Sequence, residues 1–439
     1  MFVACLSSAS RAGATEAKFQ GVGDASLGVT DNIQSAPDEP LPGGTTKSAG
    51  VYSMLSPSVV LALVSRRTLH RVSYTYTYNL VFGNTSLSTS SNQVFYRSFF
   101  DLSPRTSLIL GANAIQTNNF SAVILTAPGA GAVNAMPAGT GSFLSATADE
   151  LMSYDLAPGM RVYEGAAVTE QTPLFDTVAP RTFLVSGRLG AERSWDADAV
   201  GVEPRVDYAA ITGSLRPDGT PAGEQRQIVG SGVGIWRHDW GQSVTSRLEA
   251  GALRVQRLNT GHGFWAPAIL ATATYVNEVG DAEAGYYHTV TTNPLLGQSL
   301  LVDEFRIRGG LPFGKKSEIL VGASSGYQRG RLLDEDATLA AHVNVVLFDV
   351  GVGWQATESL VLGIRYQHIN QSSDVHVMPL PVSFVRNSVM VGASFRYPPD
   401  SEMPRAYRAP RRVDRQDEIR DTPGPAAEPR ERTNNGTGT

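Results

Sequence analysis

Long segments of this chain alternate between apolar and polar residues, and no other feature constrains its fold more. Successive residues of a β-strand point to opposite faces, so a period of two places one set of side chains on each face. One face of the segment 71–82 carries Val72, Tyr74, Tyr76, Tyr78, Leu80 and Phe82, and the other carries Arg71, Ser73, Thr75, Thr77 and Asn79. The same division recurs in 200–208, 304–311 and 386–397. The sequence therefore predicts an all-β protein with long strands.

Alternation alone fits two architectures, a soluble sandwich and a transmembrane barrel. A sandwich would bury its apolar face, whereas a membrane barrel would turn that face towards lipid and its polar face towards the lumen. Strand lengths of about ten residues favour the barrel, and so do aromatic residues near segment ends, where an interfacial girdle belongs. The girdle candidates are Phe82, Phe100, Trp240, Trp265, Phe313, Trp354 and Tyr397.

The composition agrees with a barrel. Charged residues make up 18% of the chain, below the roughly 25% of a typical soluble domain. The longest apolar runs, Met1–Leu6 and Val59–Val64, are far shorter than the about 20 residues of a spanning helix. A membrane protein without such a helix is expected to be a closed barrel, because hydrocarbon leaves unpaired backbone groups unsatisfied. The net charge of −5 and the dispersed Lys and Arg residues argue against a nucleic-acid partner.

Turn signals divide the chain into eighteen segments. Short connections alternate with longer ones, as they must when one rim of a barrel has tight turns and the other has loops. The predicted turns are 65–68, 102–107, 157–160, 195–199, 240–243, 277–281, 314–317 and 356–359. The predicted loops are 35–47, 83–91, 118–141, 172–180, 213–225, 259–263, 294–298, 332–338 and 371–381. The sequence thus predicts a closed antiparallel transmembrane β-barrel of about 18 strands with both termini at the periplasmic side.

The two ends of the chain differ from the central region. Residues 1–20 contain a short apolar start and an A-x-A-like site, which indicates a truncated secretory leader without its basic n-region and a start of translation further upstream. Residues 21–397 would form the barrel. Residues 398–439 are charged, contain several Pro and are almost free of aliphatic residues, which predicts a disordered periplasmic tail. This tail would either dock on a periplasmic target, peptidoglycan or an export partner, or remain solvated.

The longest predicted loop, 118–141, is rich in Ala and Gly. It would either fold into the lumen as a constriction or stay outside the barrel. Its composition favours a mobile segment.

The sequence contains no convincing catalytic or metal-binding motif. Cys5 is the only cysteine and none of the seven histidines has metal-ligand spacing. The GxSxG pattern around Ser324 lacks the helix that must follow a nucleophile elbow. We interpret His238 with Asp239, and His262, as interfacial or loop residues, and the glycines of 230–234 as providing room inside the barrel wall. We therefore predict no enzyme activity, no cofactor and no metal.

The polar face of the strands would line the interior, and a barrel of this size is wide enough for an aqueous channel. The lining of a channel sets its selectivity. Both charge signs occur on this face, which suits neutral hydrophilic solutes or sugar chains, although each charge would serve equally well in an ion pair that only stabilises the barrel. The candidate pore-lining residues are Arg71, Arg97, Asp101, Arg188, Glu192, Glu203, Arg205, Asp207, Arg247, Glu249, Glu283, Tyr287, Glu304, Arg306, Arg308, Asp349, Arg365, Gln367, Arg386 and Arg396.

The N-terminal region resembles the first hairpins of a group of Gram-negative, porin-like outer-membrane barrels through GVTDNIQSAPDEP, YSMLSPSVVLALVSRRTLHRVSYTYTYNLVF and NQVFYRSFFDLSPRTSLILGANA. That group includes barrels proposed to export exopolysaccharide. The resemblance in amino-acid sequence covers about residues 21–114 and contains no residue-specific binding motif. It implies a passive conduit in outer-membrane lipids that carries a secreted polysaccharide, served by a periplasmic export partner. A diffusion porin for small hydrophilic solutes and a plugged structural barrel are the alternatives.

Overall fold

The computed structural model describes residues 16–37, 46–118, 142–174, 180–214, 220–221, 223–277, 279–293, 298–314, 318–333, 339–374 and 383–399. Within these ranges the chain forms one 3₁₀ turn, Thr85–Leu87, and eighteen strands. The strands are β1 (Glu16–Thr30), β2 (Gly50–Val64), β3 (Thr68–Val81), β4 (Thr89–Ser103), β5 (Thr106–Thr117), β6 (Ser142–Ala157), β7 (Met160–Leu174), β8 (Arg181–Trp195), β9 (Asp198–Thr212), β10 (Gln225–Trp240), β11 (Val244–Arg257), β12 (Gly263–Val276), β13 (Asp281–Asn293), β14 (Gln298–Phe313), β15 (Ile319–Leu333), β16 (Leu339–Thr357), β17 (Leu360–Ser373) and β18 (Phe384–Tyr397). No helix in the described ranges is long and apolar enough to cross a membrane.

The strands form one closed sheet. Each strand pairs antiparallel with its neighbours in the chain, and β18 pairs with β1 from Gly21–Tyr397 to Thr30–Ser388. The predicted closed antiparallel barrel of eighteen strands is confirmed, and the strand connections coincide with the predicted turns and loops to within a few residues. We call the rim with the eight short connections the turn end and the opposite rim the loop end. Strand β1 starts and strand β18 finishes at the turn end.

The barrel begins slightly earlier in the chain than the boundary expected at residue 21. Strand β1 starts at Glu16, which lies opposite Val64 of β2. Gln20 Nε2 also donates a hydrogen bond to Pro398 O at 2.9 Å. Residues 16–20, expected in the leader, therefore belong to the barrel. The rest of the predicted leader and the tail beyond residue 399 lie outside the described residues, as does nearly all of the loop 118–141.

One face of the sheet carries large apolar side chains that are exposed around the whole barrel. Examples are Phe19, 60% exposed, and Val202, also 60% exposed, and the predicted girdle residues are exposed there too, except Phe100, which is partly buried. A soluble protein does not leave its apolar faces outside, whereas a membrane barrel turns them to lipid. The protein is therefore a transmembrane barrel of the bacterial outer-membrane type.

Two features of the outer face differ from a uniform apolar surface. Gly230 and Gly232 lie on this face, where an added Cβ would meet no atom within 4 Å. The expectation that these glycines make room inside the barrel wall is therefore wrong, because they face outwards and have space around them. Glu150 and Glu164 also lie on the outer face, next to the exposed Met152, and nothing in the structure explains them.

Replacing Ile364 by Arg tests the assignment of the outer face. Ile364 is 51% exposed on the outer face of β17, and a cation at the membrane midplane costs about 2–4 kcal/mol. We expect Ile364→Arg to lower the free energy of unfolding from lipid vesicles by that amount, measured by urea titration. Gln367→Arg on the inner face of the same strand is the matched control and should change stability little. Equal losses in both variants would contradict the assignment.

Candidate functional site in the barrel interior

All twenty candidate pore-lining residues lie on the inner face of the sheet. The pairing registers show this, because directly paired residues share a face and successive residues of a strand point to opposite faces. Arg205, for example, is paired with Arg188 and lies between Pro204 and the outward Val206, which is 55% exposed. The structure thus brings the candidates to one surface, but it distributes them over ten strands instead of one cluster.

Arginine–carboxylate pairs cover this surface. Residues two positions apart on a strand share a face, and such neighbours pair in Arg205–Asp207 at 2.9 Å and Arg247–Glu249 at 2.7 Å. Arg306 pairs with Glu304 in the same way. Pairs between adjacent strands are Arg308–Glu283 at 2.6 Å, Arg365–Asp349 at 2.5 Å and the longer Arg188–Glu203 at 4.0 Å. Arg97 of β4 and Asp149 of β6 approach to 4.0 Å across Gly111 of β5. The inner face is therefore strongly polar while its opposite charges largely compensate each other.

Several of these arginines are accessible to water inside the barrel. The side chains of Arg205, Arg306 and Arg365 are 51%, 51% and 54% exposed. The guanidinium of Arg306 also lies 5.9 Å from the ring centre of Tyr287, a cation–π distance. An accessible surface of guanidinium groups, carboxylates and one aromatic ring is suited to bind hydroxyl-rich or mixed-charge ligands.

Two other candidates, Glu192 and Glu203, are buried among the inward side chains of β7–β10. Arg237 Nη2 donates to Glu192 Oε1 at 2.7 Å, and both side chains are at most 10% exposed. Tyr163 donates to Glu203 Oε2 at 2.8 Å. Gly190 provides the space for this tyrosine, because a Cβ at Gly190 would clash with the Tyr163 ring. The sequence pattern places Glu192 and Glu203 on the inner face but gives no sign that both are buried.

The loop end of the interior is packed. On sixteen strands, an inward-facing residue near the loop end is less than 9% exposed, and we call this set the packed ring. Its members are Thr30, Val81, Thr89, Thr117, Phe143, Gln171, Thr182, Ile211, Gln225, Arg257, Ala266, Leu300, Leu332, Val343, Gln371 and Phe384. The accessible arginines lie nearer to the turn end, so the interior consists of an accessible polar compartment and a closed, partly apolar one.

The segment that follows β1 contributes to the closed compartment. Asp31 accepts hydrogen bonds from the backbone N and Nδ2 of Asn387, both at 2.7 Å. Burial raises the pKa of Asp31, but these hydrogen bonds outweigh it and hold the pKa below its usual value. Asn32 Nδ2 donates to Ala36 O at 2.8 Å, and Arg386 donates to Ser35 Oγ at 3.0 Å. The candidate Arg386 therefore anchors this inward segment.

The loop end of the β13–β14 hairpin also lies inside the barrel. The β12–β13 ladder stops at Ile269–His288, although β13 continues to Asn293. Leu301 of β14 is buried against Val229, Leu253, Val255, Ala266 and Ala268, which lie on the inner face of β10–β12, and Val290 packs on the same cluster. Gln227 Nε2 donates to Thr292 Oγ1 at 3.2 Å and to Ser299 Oγ at 2.5 Å. We call residues 289–293 and 298–302 the inner hairpin end. Sequence reasoning missed this feature, although apolar residues at inward positions of β10–β12 were a signal for it.

The serine and histidine residues considered for catalysis or metal binding lie in structural positions. Ser324 lies within strand β15, without the helix of a nucleophile elbow. His238 lies on the outer face, with Nδ1 2.9 Å from Asp198 Oδ1 and its ring beside Trp236 and Trp240. His262 lies in the short β11–β12 connection. Among the described residues, no group of three or more His, Cys, Asp and Glu side chains could hold a metal ion.

Comparisons with known proteins agree with the fold only. No protein-family model matches the sequence, and no curated protein sequence matches it significantly. Among solved structures, OccK2 (OpdF) of Pseudomonas aeruginosa is 10% identical with a TM-score of 0.45, over 87% of this chain and 98% of that chain. OccAB3 of Acinetobacter baumannii is 10% identical with a TM-score of 0.44, over 87% and 100%. The alcaligin outer-membrane receptor FauA of Bordetella pertussis is 11% identical with a TM-score of 0.40, over 87% and 76%. Such low identities and scores say nothing about cargo.

Replacing Glu192 by Ala tests the buried ion pair. The change leaves the guanidinium of Arg237 buried without its carboxylate, and breaking a buried pair in this way costs about 3–5 kcal/mol. We expect the free energy of unfolding to fall by about 3 kcal/mol in urea titrations. Glu224→Ala, which removes the partner of the exposed Arg226, is the control and should leave stability unchanged. Similar effects in the two variants would show that burial does not matter here.

Proposed function

We propose that this protein is an outer-membrane channel for hydrophilic, carbohydrate-like cargo, closed at its loop end in the present conformation. The observation that carries this proposal is the accessible inner surface of paired arginines and carboxylates. A plugged structural scaffold has no need for guanidinium groups that remain half exposed inside it. A channel uses such groups to replace the water around a polar cargo.

The charge balance of this surface favours an uncharged polar cargo. Ten of the twenty candidate lining residues are Arg and eight are Asp or Glu, so the lining has no strong preference for either sign. Sugar hydroxyl groups both donate and accept hydrogen bonds, and they can use carboxylates and guanidinium groups alike. The ring of Tyr287, held beside Arg306, adds an aromatic surface on which a sugar ring can stack. Small neutral solutes fit the same chemistry.

The orientation favours export. Outer-membrane barrels have short turns on the periplasmic side and longer loops outside, so the accessible compartment opens towards the periplasm. Cargo would enter from there and leave through the loop end once that end opens. Together with the resemblance of residues 21–114 to exopolysaccharide-export barrels, this arrangement supports a secreted polysaccharide as cargo and a periplasmic partner that delivers it. The tail 398–439 is the segment proposed to meet that partner.

A plugged structural barrel is the second candidate, and the packed ring favours it. Buried residues such as Phe143, Leu300 and Phe384 close the loop end as a protein core does. In that case the ion pairs of the inner face would only stabilise the wide barrel. The two candidates differ in whether the closed end ever opens.

Single-channel recording distinguishes these candidates. We expect the refolded protein to show discrete openings in a planar bilayer, because its lining is hydrated up to the packed ring. Long-chain neutral polysaccharide added at the turn end should reduce the open current, whereas a monosaccharide at the same mass concentration should not. If only the monosaccharide blocks the openings, the result would favour the diffusion porin. A bilayer that stays silent at all voltages would leave the structural barrel.

A further inference from the structure

The inner hairpin end (residues 289–293 and 298–302) occupies a position that the strand pattern of β13 and β14 does not require. Further along β14, beyond Asp303, Phe305 and Ile307 share the parity of Leu301 and are 49% and 47% exposed on the outer face. Leu301 itself is 8% exposed and packs inside the barrel. The face of the hairpin that carries Phe305 and Ile307 thus points outwards near the turn end. Near the loop end the same face, with Leu301, packs against the inner side of the barrel.

The residues of the hairpin would equally suit a place in the barrel wall. Continued past Ile269–His288, the β12–β13 register sets Thr289 opposite Ala268, Val290 opposite Pro267 and Thr291 opposite Ala266. In that alignment the apolar Val290 and Leu301 point outwards, and Thr289 and Thr291 point inwards. Within the described part of the chain, the edge of β12 from Gly263 to Ala268 pairs with β11 alone, which leaves its other side available for this extension.

The inner face of β10–β12 is adapted to the observed, inward position. Val229, Leu253, Val255 and Ala268 form one apolar cluster at inward positions, and Leu301 of the hairpin is buried against it. Without the hairpin they would expose an apolar patch to the lumen, at a cost that grows with the apolar area in water. Gln227 adds hydrogen bonds to Thr292 and Ser299. The sequence therefore supports two positions of the same hairpin, one inside the lumen and one in the wall.

We propose that the inner hairpin end is the gate of the channel. It leaves the lumen by extending the β12–β13 ladder from His288 towards Asn293, and this removes Leu300 and its neighbours from the packed ring. This inference rests on the proposed channel function and names the element that regulates it. Two discrete packings of one segment are the kind of bistable element through which switching proteins work.

Disulfide trapping tests whether the hairpin reaches the wall. In a Cys5→Ser background, Ala266→Cys is combined with Thr291→Cys. In the extended ladder these residues are directly opposite, with Cα atoms about 4.5–5.5 Å apart, which is within reach of a disulfide. In the inward position Ala266 packs against the side of the hairpin that carries Leu301, and Thr291 points away from it. A disulfide between them therefore reports the outward position only.

A matched control and an opposite lock complete the experiment. Thr147→Cys with Thr169→Cys joins paired, inward-facing residues of β6 and β7 that lie outside the packed ring. This disulfide should form fully and leave the current unchanged. Gln227→Cys with Ser299→Cys, bridged by a short bis-maleimide, holds the hairpin inside. All proteins are oxidised or bridged in lipid vesicles, scored by gel shift, and then recorded in planar bilayers.

We expect the Ala266→Cys/Thr291→Cys protein to form its disulfide. Its current should then rise severalfold over that of the unlocked protein and fall again on reduction. The bridged Gln227→Cys/Ser299→Cys protein should open less often. Absence of the 266/291 disulfide, with complete oxidation of the control pair, would overturn the gate. If the disulfide forms but does not raise the current of a conducting protein, the gate is overturned as well, whereas the proposed channel function is retained. If none of the proteins conducts, locked or unlocked, the channel function fails, whatever the disulfide shows.

Discussion

Closure of the backbone hydrogen-bond ladder between β1 and β18 is the constraint on which the rest of this structure depends. Hydrocarbon offers no water to an unpaired N–H or C=O group, so a sheet can enter a membrane only without edges. The ten residue pairs from Gly21–Tyr397 to Thr30–Ser388 remove the last two edges. Once the sheet is closed, one face must meet lipid and the other must enclose a lumen. The alternating sequence then assigns every side chain to one of these two environments.

The interior of the closed barrel has two parts, which differ in how far water reaches the side chains. Towards the turn end, water reaches the arginines and carboxylates, and screening keeps each exposed ion pair weak. Towards the loop end, burial strengthens hydrogen bonds such as those that Gln227 Nε2 donates, and apolar groups such as Leu253 pack together. In the channel proposed above, a solute would pass from the accessible compartment to the buried one, where the inner hairpin end lies.

Much of the barrel could be predicted from the sequence because its signals are local. A two-residue period defines a strand, and Gly, Asn and Asp residues define the turns, so the positions of all eighteen strands followed from short windows. The inward placement of residues such as Arg71 and Gln367 followed from the same period. The place of Gly230 and Gly232 did not follow from it, since a glycine in a strand does not reveal which face needs its small size. The burial of Glu192 did not follow either, because its partner Arg237 lies two strands away.

The sequence by itself determined the class of fold, the strand order and the two faces, because each depends on residues that are neighbours in the chain or in adjacent strands. Only the tertiary structure decided how the interior is divided. The contact of Gln227 with Thr292 and Ser299 joins positions 65 and 72 residues apart, and Asn32 meets Val385 across 353 residues. No periodic pattern encodes such contacts, since they arise from the curvature of the closed sheet and from which segments fold back into the space it encloses.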